Sequence, residues 1–342
     1  ANFLNNNHLD ALRRFLLKET DIDHIVVADG GVFRGISVDN AIWVVTKTSR
    51  AASGARILHA QPDASGLQIT EQRIIARDGI LADPYALFTG GGSSRVNDLW
   101  DRCKNIGTPL GTIAHVNFGK QLRDRKKFTK DVIIVTGRSA IPPKYRPCYT
   151  GRDVERYLML WGRLACLNDR VAQAGGCWDD EKQDAAMKLI TRQIGKYPVF
   201  ALDEEGYQCL NTVFMVKLKD GETSPLYLLG ILNSRLTAAL WLQRFYDQRR
   251  TFPKIKGTYL KNLPIQMIDF AKPGDKACHD RMVSLVQRML DLHKRLPAAK
   301  TAHEKTVLQR DIEATDREID RLVYELYGLT QDDIRIIEEA LQ

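Results

Sequence analysis

A chain of 342 residues with 44% hydrophobic and 27% charged content is long enough for two or three domains with their own cores, and too apolar for a disordered polymer. It has no run of apolar residues long enough for a membrane-spanning helix, and the polar stretch Ala1 to Asn7 lacks the basic-then-apolar order of a secretory signal. Six scattered cysteines (103, 148, 166, 177, 209, 278) form no C-x-x-C pair, which argues against zinc or a disulfide framework and predicts reduced thiols in the cytoplasm.

Net charge is +8 with a pI near 9.1, unevenly spread. Residues 117–163 hold twelve Lys or Arg against four Asp or Glu, and residues 244–263 hold six against one. Residues 301–342 reverse the balance, with five basic against eleven acidic side chains. A basic middle suggests a polyanionic partner, although solvated lysines with no partner give the same count.

In chain order, residues 5–18 predict an amphipathic helix with Leu9, Leu12, Phe15 and Leu16 on one face. The short β-branched runs at 22–28 and 41–46 predict buried strands, joined by the turn-rich Asp29 to Gly35. This helix–strand–loop–strand order fits the closing end of a parallel α/β sheet, so residue 1 is expected to lie inside a domain. Residues 51–92 are expected to form a connecting arm with short strands at 56–60 and 68–75. Residues 93–270 predict an irregular α+β domain with strands at 132–135 and 213–218 and helices at 153–160 and 226–245. Residues 278–342 predict helices, broken near Pro297 and again at Gly328, with a last one after Thr330.

Seven segments carry a resemblance. LRRFLLKETDIDHIVVADGGVFRGISVDNAIWVVTK (residues 12–47) resembles the last part of the catalytic domain of TaqI-like N6-adenine DNA methyltransferases. LGTIAHVNFGKQLRDRKKF (110–128) is similar to the opening of a target-recognition domain, as in type I specificity subunits and type IIG enzymes. YRPCYTGRDVERY (145–157), KLITRQIGKYPVFALDEEGYQCLNTVFMV (188–216), LLGILNSRLTAAL (228–240) and FPKIKGTYLKNLPI (252–265) follow in the family's order, and IDRLVYELYGLTQDDIRIIE (319–338) resembles its helical ending. The resemblance implies an α+β chain: the edge of a Rossmann-like methyltransferase sheet (1–50), an arm (51–92), an irregular mixed target-recognition domain (93–270) and C-terminal helices (278–342).

Two family motifs are missing. No Gly-rich turn for S-adenosylmethionine follows a strand, and no Asn/Asp-Pro-Pro-Tyr/Phe string is present, since Ile141-Pro142-Pro143-Lys144 lacks both the amide or carboxylate and the aromatic. The resemblance therefore implies no cofactor in this chain and S-adenosylmethionine in an intact enzyme. Its catalytic part would lie upstream or in a separate chain. Partners would be double-stranded DNA and that methyltransferase domain, with no membrane.

By resemblance, Phe33 packs against an adenine flipped out of the duplex, because chemistry on a base requires its extrusion onto an aromatic or apolar face. Lys120, Arg123, Arg125, Lys126 and Lys127 follow Gly119 in an expected loop and can meet phosphates or base edges. Arg146, Arg152 and Arg156 flank a glycine turn, where one phosphate contact and ion pairs with Asp153 or Glu155 are expected. Arg249, Arg250, Lys254 and Lys256 surround Phe252-Pro253 and are expected at the DNA backbone. Gly90 to Gly92 lacks the strand and Lys-Ser/Thr of a phosphate loop, Asp180-Glu181-Lys182 reads as a solvated helix start with no convincing upstream acid for a nuclease, and the seven histidines show no ligand spacing, so no metal is assigned. The expected function is sequence-specific DNA recognition for an adenine methyltransferase. Alternatives are a free-standing type I-like specificity subunit and a helical structural protein that does not bind DNA.

Overall fold

The computed structural model describes residues 4, 9–28, 40–48, 54–63, 65–82, 86, 88, 94–219, 221–246 and 252–341. The chain divides into two units, one of Ala1–Asn97 with Leu242–Lys254 and one of Asp98–Trp241 with Ile255–Gln342.

In the first unit, a helix (Asp10–Glu19) leads directly into β1 (Thr20–Ala28), followed by β2 (Asn40–Lys47), β3 (Gly54–Asp63), β4 (Gly66–Ala76) and a short helix (Arg77–Ala82). The sheet runs β2-β1-β3-β4, antiparallel except for the β1–β3 pair. Ile22, Ile25 and Val27 of β1 meet Ile57, Ile75, Ile80 and Phe88 in its core. The helix turns Leu17 inward beside Arg13, whose Nε donates to the Ala86 carbonyl at 2.9 Å, whereas Leu12 and Phe15 stay exposed. The apolar stripe read from the sequence is thus rotated: an arginine with a backbone acceptor takes part of the buried face. The segment 51–92 supplies two full-length strands to this sheet.

A helix (Ser94–Ile106) contributes all but its first turn to the second unit, which continues through β5 (Thr108–Pro109), β6 (Ala114–Phe118), β7 (Gln121–Leu122), β8 (Val132–Ile134) and β9 (Tyr145–Tyr149). Then come β10 (Val154–Glu155), β11 (Leu158–Met159), β12 (Leu164–Leu167), β13 (Gln173–Gly175), β14 (Lys188–Arg192), β15 (Phe200–Asp203), β16 (Gln208–Cys209) and β17 (Val213–Leu218). One antiparallel sheet runs β15-β14-β17-β6, and a second runs β16-β9-β12-β8. The Gly119 N–H extends the β6–β17 ladder by donating to the Val213 carbonyl at 3.1 Å, and the next residue links the two sheets: Lys120 bridges to Leu210 and its N–H donates to the Cys209 carbonyl of β16 at 2.7 Å. A Cβ on Gly119 would collide with the Leu210 carbonyl oxygen, which is why a glycine stands there.

The expected helix at 153–160 is instead a single 3₁₀ turn (Gly151–Asp153) and the β10–β11 hairpin. Asp153 forms a capping box with Thr150 and also accepts from the Gly162 N–H at 2.7 Å, pulling the chain into a tight loop. Tyr157 sits at φ 64° with its ring fully buried, a conformation no α-helix contains. The expected helix at 226–245 is two, Pro225–Leu232 and Arg235–Arg244. Asn233 breaks it by pairing its side-chain amide with both the N–H and the carbonyl of Phe200, at 2.8 and 2.9 Å.

The tail forms three helices, Pro273–Arg295, Ala302–Leu326 and Gln331–Ala340. Pro297 lies in a 3₁₀ turn between the first two, Gly328 takes φ 58° after the second, and Thr330 caps the third through a capping box with Asp333. Met282, Leu285, Val286 and Met289 bury one face of the first helix, with Met282 lying directly over Gly230. Among the described residues no helix is long and apolar enough to cross a membrane.

Candidate nucleic-acid interface

The turn between β7 and β8 is built to display cations. Asp124 accepts from the Lys126 N–H through its carboxylate (2.9 Å), and its carbonyl accepts from Lys127 and Phe128 (3.0 and 2.9 Å). Arg123 closes the base of the turn with two hydrogen bonds to buried Asp131, each 2.9 Å, and its guanidinium lies 3.8 Å from the Phe128 ring centre. Donation to the Asp131 carboxylate holds the Arg123 pKa above its usual value. The far side is fixed by the Tyr145 hydroxyl, which donates to the Lys130 carbonyl at 2.7 Å. Arg125, Lys126, Lys127 and Lys130 project from this frame, exposed and without a side-chain partner among the described residues.

The five residues expected here therefore divide. Arg125, Lys126 and Lys127 face solvent together. Arg123 is committed to Asp131 and acts as a strut. Lys120 is corrected outright: its side chain is fully buried, with Nζ 2.5 Å from Asn168 Oδ1, 3.5 Å from Asp180 and 4.7 Å from the Trp178 ring centre. A buried ammonium needs such partners, and its place is inside the fold.

Arg146 is exposed, touching only the Pro143 and Tyr145 carbonyls at 3.4 and 3.3 Å, and Arg152 is exposed with no side-chain partner among the described residues. Arg156 is different. It bonds both oxygens of Asp316 (2.9 and 2.5 Å) and the Asn233 carbonyl (2.7 Å), tying the β10–β11 hairpin to the long tail helix. Burial alone would lower its pKa, but Tyr157, Asp316 and Asp320 outweigh it and leave the guanidinium above its usual value. The ion pair expected with Asp153 or Glu155 forms with Asp316 instead, 160 residues away.

Lys254 is exposed, while Lys256 is half-buried with Nζ 4.9 Å from the Tyr259 ring centre. Phe33, Arg249, Arg250 and the Gly90 to Gly92 run lie outside the described residues. Asp180-Glu181-Lys182 forms a one-turn helix capped by Asp179, with Lys182 paired to Asp179 and Glu181 to Lys217. Three cations that charge counting did not single out share the surface of the second sheet: Lys130 and Lys144 lie in its loops, and Arg163 precedes β12 at φ 58°. Only the strand pairing, which draws residues 132, 146 and 166 into one row, could have shown this.

A comparison of the sequence with curated proteins finds no match. Among solved structures, the type IIG restriction endonuclease BpuSI aligns over 96% of this chain and 46% of its own, at 14% identity and a TM-score of 0.40. The present chain thus spans less than half the length of that protein. A type I restriction-modification system, solved for its complex assembly and conformational transition, aligns over 68% of this chain and 53% of its own, at 9% identity and a TM-score of 0.36. The HsdS subunit from Thermoanaerobacter tengcongensis aligns over 72% and 50%, at 10% identity and a TM-score of 0.31. A family model, that of the TaqI-like C-terminal specificity domain, matches the sequence over residues 146–265.

Proposed function

We propose that this chain is the DNA-recognition part of a site-specific adenine-N6 DNA methyltransferase of a restriction-modification system. The observation that carries it is the match of residues 146–265 to a TaqI-like specificity domain, adjoined by a turn braced through Arg123 and Asp131 whose exposed Arg125, Lys126 and Lys127 have no acidic partner among the described residues. Such cations suit phosphates, which position a protein on duplex DNA, while neighbouring side chains read bases. S-adenosylmethionine and the motif that orients the adenine amino group are assigned to residues beyond these 342, because the sequence holds neither motif. Phe33 is proposed to stack on the extruded adenine, on the strength of its flanking sequence.

The test is fluorescence anisotropy with duplex DNA across a salt series. Binding should weaken steeply as salt rises, and Lys126→Ala with Lys127→Ala should reduce the log–log slope by roughly 1 for each phosphate no longer neutralised. Affinity should fall about equally for all sequences. An unchanged slope and affinity would make the turn a solvated surface and refute the DNA reading of it.

A further inference from the structure

β8 is an edge strand, paired only with β12, and its last residue is Ile134, opposite Leu164. At 81% exposure it is the most exposed large apolar side chain among the described residues. A lone exposed isoleucine is ordinary on a protein surface, but its setting here is not. Edge strands are usually guarded by charge, because an open row of backbone groups beside apolar side chains invites misassembly. Here the charges flank the strand and leave its tip apolar. Arg125, Lys126, Lys127 and Lys130 precede it, and the Val135 N–H donates to the carbonyl of exposed Arg163 at 2.9 Å. Val132 and Leu164, on the same face, pack against a buried cluster, whereas Ile134 beyond them stays open to solvent.

We infer that Ile134 is a specificity-determining residue that contacts the 5-methyl group of a thymine in the major groove. This rests on the DNA reading of the same surface. The exposed cations of the turn before the strand, and Arg163 beside its end, suit phosphates, and the thymine methyl is the one apolar group that a base pair presents in the major groove. Ile134 projects from a strand rather than a loop, so its position is held by hydrogen bonds on one side and by the Arg123–Asp131 brace below it.

The experiment takes the full chain and a randomised duplex library, selects bound duplexes, and replaces each thymine of the selected sequence by deoxyuridine, which removes only the methyl. Wild type should lose about fourfold in affinity at one thymine, the factor that burying one methyl group is worth. Ile134→Ala should bind the thymine and deoxyuridine duplexes equally at that position, with an unchanged salt slope, and Ile134→Val should keep part of the difference. Selection of a sequence by wild type with no deoxyuridine effect anywhere overturns the inference. So does an Ile134→Ala variant that still discriminates, or one that weakens both duplexes alike. If wild type selects no sequence and shows no salt-dependent binding, the DNA reading itself fails, and this inference with it.

Discussion

Asp320 offers a test of the tail's packing that is independent of any ligand. Its carboxylate is 5% exposed and accepts the Arg235 N–H, at the start of the helix Arg235–Arg244, at 2.8 Å. Asp316 lies one turn earlier on the same helix, Arg156 and Arg235 bring positive charge, and Arg235 is itself bonded to Glu338. Burial, reinforced by Asp316, pushes the Asp320 pKa up to about 7 against offsetting help from the backbone N–H and the two arginines. A carboxyl raised in this way stays protonated in the fold where the unfolded chain has already released its proton. Stability must therefore fall as pH rises from about 4 to about 7, and level off above that. The full linkage is on the order of 4 kcal/mol at pH 8 and between about 1 and 2 kcal/mol at pH 5. Asp320→Asn keeps an acceptor for the Arg235 N–H and removes the titration. The melting-temperature difference between variant and parent should therefore grow from pH 5 to pH 8 by roughly 5–10 °C, at 2–4 °C per kcal/mol for a unit of this size. Circular-dichroism melts at pH 5, 6, 7 and 8 read this directly. A difference that does not change with pH would show that Asp320 titrates as an ordinary surface carboxylate, and the argument from burial would be wrong.

Two further substitutions separate scaffold from surface. Lys120→Met should lower stability by about 1–3 kcal/mol in a denaturant titration, because Asn168 loses its buried partner, while the salt slope of DNA binding stays at the wild-type value. A lowered slope would place Lys120 at the phosphates after all. Arg156→Lys should destabilise nearly as much as Arg156→Ala, about 2–3 kcal/mol, because a single ammonium cannot bond both Asp316 oxygens and the Asn233 carbonyl together. Full stability in the lysine variant would count against the bidentate geometry.

Elements with a strong local signal were legible in the sequence. The runs at 22–28 and 41–46 are the paired strands β1 and β2, although β2 is an edge strand with Ile42, Val44 and Val45 exposed rather than the buried strand expected; Val213 to Leu218 is β17 to the residue, and Pro297, Gly328 and Thr330 punctuate the tail as their backbone chemistry dictates. Illegible features depended on partners far away in the chain. Arg156 reads as a cation on a basic stretch until Asp316 is brought beside it, and Lys120 reads as the first of a loop cluster until Asn168 and Asp180 enclose it. Val132 to Val135 reads as a short strand, and nothing in the run itself shows that its outer edge is open and that Ile134 faces solvent. Within the candidate site, the sequence located the turn and its charge, whereas the division into struts and free cations needed Asp124, Asp131 and Tyr145 in place.

The pairing of β17 with β6 has a practical consequence. The match to a specificity domain begins at residue 146, yet β6 (114–118) covers the outer edge of β17, and β14 lies on its other side. A protein cut at residues 146 and 265 would leave Val213 to Leu218 with an open row of N–H and carbonyl groups along a largely buried apolar strand, the kind of edge that captures a second copy of itself. It would also lack the tail helix that supplies Asp316 to Arg156 and the one that lays Met282 over Gly230. Such a fragment is expected to precipitate or pair with itself. The stretch that can be recognised by sequence is smaller than the stretch that can fold.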